Sequence, residues 1–228
     1  IRDSYILGTM HSDLPQVRSA IPRSVWQILP QAKSASFELK EDGTMQAALM
    51  NAMYYDAKSG KNLRTAIGEE LYTKLTSVLA KRPDLTDAIY DKMRPWAVGL
   101  LMQVPADEND GVHLDNRLEN FAESKLIPVF GVETVDEQLS VFTQLSEAEQ
   151  IEFLQDAVDN YDLIDSMNDK MLSRYLERDL TGLQKLAVES FDMMRNADLR
   201  EKLKETLIIK RNQLMLERMQ PRLDEGNA

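Results

Sequence analysis

Apolar positions recur every three to four residues along most of this chain, and three short runs break that rhythm with alternation or continuous apolarity. Tyr5 to Leu7 end against Gly8 and read as a short strand. Ser36 to Lys40 alternate, with Phe37 and Leu39 facing one way and Glu38 the other, as a second strand would. Ile127 to Val132 form the most hydrophobic run and read as a third strand. Helical spacing predicts helices over Ser24 to Lys33, from Met45 to Met53 behind a Thr44 cap, and over Glu69 to Ala80, Leu85 to Met93, Pro95 to Gln103 and Leu114 to Lys125. Pro95 suits a first helical position. Asp13 to Pro22 read as a connector, Tyr55 to Gly68 as a hairpin or irregular loop around DAKSGKN, and PADENDG as a loop.

Beyond this point the chain repeats one cap signature, Thr134 with Glu137, Ser146 with Glu149 and Thr181 with Gln184. Only helices are expected from Val135 to Met219. Ile151, Leu154, Val158 and Tyr161 make one apolar stripe, and Leu199, Leu203, Leu207 and Leu214 another. The expected fold is α/β: a small mixed or parallel sheet packed by many helices, with a largely helical C-terminal half at about 134–220, in one domain over residues 1–228. Three strands are few for so much helix, so an element that completes the sheet is expected to be missing.

Composition narrows the chemistry. The 228 residues are 43% hydrophobic, enough for a sizeable core, and no apolar stretch is long enough to span a membrane. A net charge of −11 argues against sequence-independent nucleic-acid binding, which runs on Lys and Arg against phosphate. With no cysteine, thiolate chemistry is excluded; only His11 and His113 can supply imidazole, so any metal site leans on Asp and Glu or borrows ligands from elsewhere.

Four residues stand out. His11 follows a predicted strand and a glycine, where α/β folds place ligands, and reads as a metal ligand, a base or a hydrogen-bonded loop histidine. Glu38 is either a carboxylate on a buried strand, which needs a partner or a metal, or the solvent face of an ordinary strand. Glu133 ends the third strand and either joins the site or stabilises the start of the next helix. Arg211 shares a helix face with Leu203, Leu207 and Leu214. It either pairs with Glu133 or Glu38, or snorkels past the core edge as Arg218 on the same face does. His113, in DGVHLDN beside Asp115, reads as a surface residue.

The motifs also resemble a known family. YILGTMHS is similar to the first signature of the TraB/GumN family, which includes the Tiki proteins: a strand ending in G-x-x-H, here Gly8, Thr9, Met10 and His11. In order follow ASFELK with Glu38, RPWAV with Arg94, Pro95 and Trp96, and a middle block with Asp115, Ala122, Lys125, Gly131, Glu133, Thr134 and Gln138. KRNQLMLERM, with Arg211 and Asn212, closes the series. The family continues into a strand with a second G-x-x-H, and this sequence stops at LDEGNA where that strand would begin; GVHL at Gly111 has the wrong spacing to replace it. A chain cut short at its C-terminus is therefore expected.

The resemblance implies a metal-dependent hydrolase, a peptidase acting on peptides or proteins through Mn, Co or Zn, with His11 as a ligand or base and Glu38 as a ligand or general base. Glu133 and Arg211 would support the site, the arginine steadying an oxyanion. It implies an exported or periplasmic location and, without the second histidine, weak metal binding. The alternative is a non-catalytic module of the same fold that binds a peptide or small ligand.

Overall fold

The computed structural model describes residues 3–40, 43–105 and 111–226. In chain order the elements are α1 (Pro15–Ala20), α2 (Arg23–Ile28), β1 (Ala35–Phe37), α3 (Met45–Met53), α4 (Leu63–Leu79), α5 (Asp87–Tyr90), α6 (Pro95–Gln103) and α7 (Leu114–Ser124). There follow β2 (Val129–Gly131), α8 (Val135–Thr143), α9 (Glu147–Asp159), α10 (Tyr161–Leu176), α11 (Leu180–Asp192), α12 (Ala197–Lys204) and α13 (Arg211–Glu225). A π-helical segment, Glu205–Lys210, joins the last two helices. This is the expected helix-rich α/β fold with a small parallel sheet. The loop expected at PADENDG falls largely on residues 106–110, outside the described residues.

The chain divides into two compact units, each built from separated stretches. The first comprises residues 1–42, 107–138 and 205–228, and the second 43–106 and 139–204.

In the first unit β1 pairs with β2 in parallel, Ala35 opposite Val129 and Phe37 opposite Gly131. Parallel strands need a crossover, and α7, which leads into β2, packs on both strands. Ala35, Ala122 and Val129 are buried together, with Leu29, Phe37 and Ile127 packed around them. The turn from α7 into β2 is a Schellman motif. The Leu126 N–H donates to the Glu123 carbonyl and the Ile127 N–H to the Ala122 carbonyl. Leu126 takes the left-handed conformation there, at φ 60°. Pro30 ends α2 early: after Ile28 the chain continues only as a 3₁₀ turn over Leu29–Gln31.

The strands are shorter than their sequence patterns, and one is not a strand. Tyr5 to Leu7 are extended but unpaired, since the sheet of the described residues consists of β1 and β2 alone. A strand exists only where a neighbour takes its backbone groups and covers a face. Tyr5 and Ile6 are more than half exposed.

The second unit is helical. Trp96 and Phe142 stack with ring centroids 5.3 Å apart, and Phe153 leans on Phe142 at 5.5 Å. Helices α6 and α9 approach closely at Gly99, where a Cβ would lie 2.9 Å from the Phe153 ring and 3.3 Å from Leu154 Cα. Gly68, at φ 78°, breaks α4, so its second part starts where the sequence places a helix. The loop before α4 closes with a capping box between Asn62 and Thr65.

Two expectations are corrected here. The helix expected over Leu85 to Met93 is a single turn: Thr86 is extended, at ψ 156°, and Met93 pairs with Tyr54 in an isolated antiparallel bridge. The cap expected at Thr181 is taken by Asp179, whose side chain accepts from the Gly182 N–H at 2.8 Å. A Cβ at Gly182 would collide with that carboxylate. Among the described residues no helix is long and apolar enough to cross a membrane.

Candidate functional site

Every site residue marked in the sequence lies in the first unit. There they form two groups of charged and imidazole side chains.

The first group gathers at the ends of the two strands. Past the last register pair, Phe37 opposite Gly131, the successive N–H groups of Val132 and Glu133 donate to Phe37 O and Glu38 O at 2.9 and 2.8 Å. This irregular continuation brings the segments that carry Glu38 and Glu133 together. The Glu133 side chain is 1% exposed and that of Glu38 is 67% exposed. Arg211, at the first position of α13, reaches both. Its Nε donates to Glu133 Oε1 at 2.9 Å, and its Nη2 to Glu133 Oε2 at 2.5 Å and to Glu38 Oε2 at 3.2 Å. The partner expected as Glu133 or Glu38 is therefore both. The hydrogen bond to Glu133 raises the Arg211 pKa above its usual value, burial opposes this, and Glu38 adds to it.

Helical periodicity brought Arg211 to attention, but the helix is not a uniform α-helix. The π-helical turn immediately precedes Arg211 and changes the rotation that α-helical counting assumes.

Arg218, about two turns further along α13, closes a second pair. Its Nη1 donates to the Val132 carbonyl and to Glu137 Oε2, both at 2.8 Å, and its Nη2 to Glu137 Oε1 at 2.6 Å. Glu137 also completes the predicted capping box with Thr134. Arg218 thus ties α13 to the start of α8 through ion pairing and does not merely snorkel.

These bonds, from Arg218 first and then from the Thr134 backbone, lower the Glu137 carboxyl from 4.5 to about 2. A carboxyl depressed on folding contributes stability above its unfolded value of about 4.3, and loses it as pH falls toward the folded value. Glu137 is therefore expected to stay ionised through pH 3. Replacing Arg218 by methionine should move its NMR titration midpoint up toward 4.5. An unchanged midpoint would remove Arg218 as the cause.

The second group surrounds His11, whose side chain is 69% exposed. Its ring meets that of His113 edge to face, with centroids 3.9 Å apart and planes at 82°. Its Nδ1 lies 3.8 Å from Asp115 Oδ2. Thr9 Oγ1 donates to Asp115 Oδ1 at 2.6 Å. His113 precedes α7, Asp115 lies in its first turn, and the Leu114 N–H donates to the Ser12 carbonyl at 3.1 Å. Burial raises the Asp115 pKa, and the interactions with His11 and Thr9 outweigh it, so the carboxyl stays below its ordinary value.

Glu38, Glu133 and Arg211 thus come together, whereas His11 keeps different company. Its partners are Asp115 and His113, neither of them among the four residues singled out. Proximity of this kind has no local signature: Thr9 and Asp115 are 106 residues apart. The available clues were the scarcity of histidine and the place of Asp115 in the family-like middle block.

For a divalent ion, the donors differ between the groups. Glu38 shares its carboxylate with a guanidinium, which repels a second cation. His11, His113 and Asp115 offer nitrogen and oxygen donors of the kind that Zn, Mn and Co accept. As they stand, no three His, Asp or Glu side chains among the described residues are arranged to hold an ion.

No curated protein and no solved structure matches the chain. The model of the TraB/PrgY/gumN family matches residues 2–228, essentially the whole sequence, and the chain belongs to that family.

Proposed function

We propose that this protein is a hydrolase of peptide bonds in which His11 acts at the reacting centre, as a ligand to a divalent metal ion or as a general base. The observation that carries this reading is an exposed imidazole backed by a half-buried carboxylate and a second imidazole. A bound ion would lower the pKa of its water to about 7 and polarise the scissile carbonyl. His11 supplies a nitrogen donor open to solvent, and Asp115 and His113 restrain its ring. Glu133, Arg211 and Glu38 brace the neighbouring strand ends. A peptide or protein substrate, Mn, Co or Zn as the ion, and an exported location belong to the same reading.

A second reading, a non-catalytic module that binds a peptide or small ligand, is favoured by the state of Arg211. Its Nε and Nη2 are engaged by two carboxylates, so its charge is already balanced and is not free to steady an oxyanion. The test is cleavage of unstructured peptides with added Mn²⁺ or Co²⁺, comparing wild type with His11→Ala. Loss of about 100-fold or more is expected, in line with removal of a catalytic acid or base. Equal cleavage by both proteins eliminates His11 as the centre. Peptide binding with no cleavage by either protein selects the second reading.

A further inference from the structure

We infer that Asp115 is the positioning residue of His11: set beside Nδ1, its carboxylate keeps the imidazole proton on that nitrogen and leaves Nε2 as the lone pair for metal or substrate. The inference rests on the role proposed above for His11.

A neutral imidazole carries one N–H and one lone pair, and the group facing one nitrogen decides which is which. Asp115 is equipped to decide it. The Thr9 hydroxyl occupies Oδ1 at 2.6 Å, which leaves Oδ2 directed to His11. The 3.8 Å separation from Nδ1 is longer than a direct hydrogen bond. Such dyads are commonly loose before substrate or metal arrives. The His113 ring, edge-on at 3.9 Å, limits rotation of His11 away from this arrangement. The bond from Leu114 N–H to Ser12 O fastens the segment that carries His11 to the helix that carries Asp115.

The same geometry sets the sign of a test. In Asp115→Leu no acceptor is left beside Nδ1, whereas an amide could simply turn its oxygen to Nδ1–H, since the Thr9 hydroxyl can accept as well as donate. Without the carboxylate the neutral imidazole returns to its own preference, which places the proton mainly on Nε2.

Long-range ¹⁵N–¹H spectra at about pH 8, where free imidazole is neutral, read this directly. With two histidines in the chain there are two ring spin systems, and His113→Phe assigns them. Wild-type His11 is expected with its proton on Nδ1, Asp115→Leu with it mainly on Nε2, and Asp115→Glu with it back on Nδ1. Affinity for Co²⁺ should fall about 10- to 100-fold in Asp115→Leu, the usual effect of losing a carboxylate behind a ligating histidine. A wild-type proton on Nε2 overturns the inference without any variant having to fold, and so does an unshifted proton in Asp115→Leu. If no protein cleaves peptide while the proton moves as described, the hydrolase reading fails and the positioning role stands. If His11→Ala abolishes cleavage while the proton does not move, the positioning role alone fails.

Discussion

Replacing Arg211 with alanine will destabilise the protein by about 3–5 kcal/mol, the range for removing one partner of a buried ion pair. The Glu133 side chain is 1% exposed and takes both Nε and Nη2 of Arg211. Without the guanidinium, a carboxylate remains in a low-dielectric site with no hydrogen-bonded counter-charge, Arg218 acting on it only at longer range. Glu38, more than half exposed, can hydrate itself, so Glu38→Gln should cost less than about 1 kcal/mol. The double variant Arg211→Met with Glu133→Leu removes both charges and keeps the volume, and should recover most of the loss. Urea denaturation followed by circular dichroism measures all three. A loss below about 1 kcal/mol for Arg211→Ala would mean that water reaches Glu133 and the pair is peripheral.

Trp96→Ala should cost a similar amount, about 3–5 kcal/mol, through a different mechanism. Trp96 is fully buried in the second unit, stacked on Phe142, with Val98, Met102 and Leu154 buried in the same unit. Its removal leaves a cavity that close-packed helices do not refill. The indole also carries a penalty: among the described residues its buried Nε1 has no hydrogen-bond partner. An unsatisfied donor costs about 1–3 kcal/mol, so Trp96→Phe recovers part of what it loses in area. Its destabilisation should therefore be well under half that of Trp96→Ala, measured by the same denaturation. Equal losses would show that the N–H is satisfied in solution.

Trp96 also separates two meanings of a motif. Arg94-Pro95-Trp96 is one of the blocks that resemble the TraB/GumN family, and here its work is structural. Pro95 opens α6, Trp96 fills a core, and the Arg94 guanidinium sits 5.3 Å from the Tyr55 ring centroid. The bounds of α6 were legible because proline at a first helical position acts within the element itself. The capping boxes at Thr134 and Ser146 were legible for the same reason. Tyr5 to Leu7 were misread because a strand depends on a partner elsewhere in the chain. Thr181 was misread because a better acceptor, Asp179, lies two residues earlier.

At the site, Arg211 was visible as a charge in an apolar stripe, and burial demanded a carboxylate for it. The company kept by His11 was not visible. Nothing within ten residues of it announces Asp115 or His113, and His113 taken alone resembles any loop histidine.

The first unit is stitched from three stretches, the last of them beginning at residue 205. Arg211 lies 173 residues beyond Glu38 and 78 beyond Glu133. At a synthesis rate of about 5–20 residues per second, roughly 4–16 s pass between the making of Glu133 and of its counter-charge. Throughout that interval the nascent chain has no cation from α13 to offer the buried acid. A ribosome-stalled fragment ending before residue 211 should thus remain protease-sensitive around the strand pair, and become resistant once α13 has emerged.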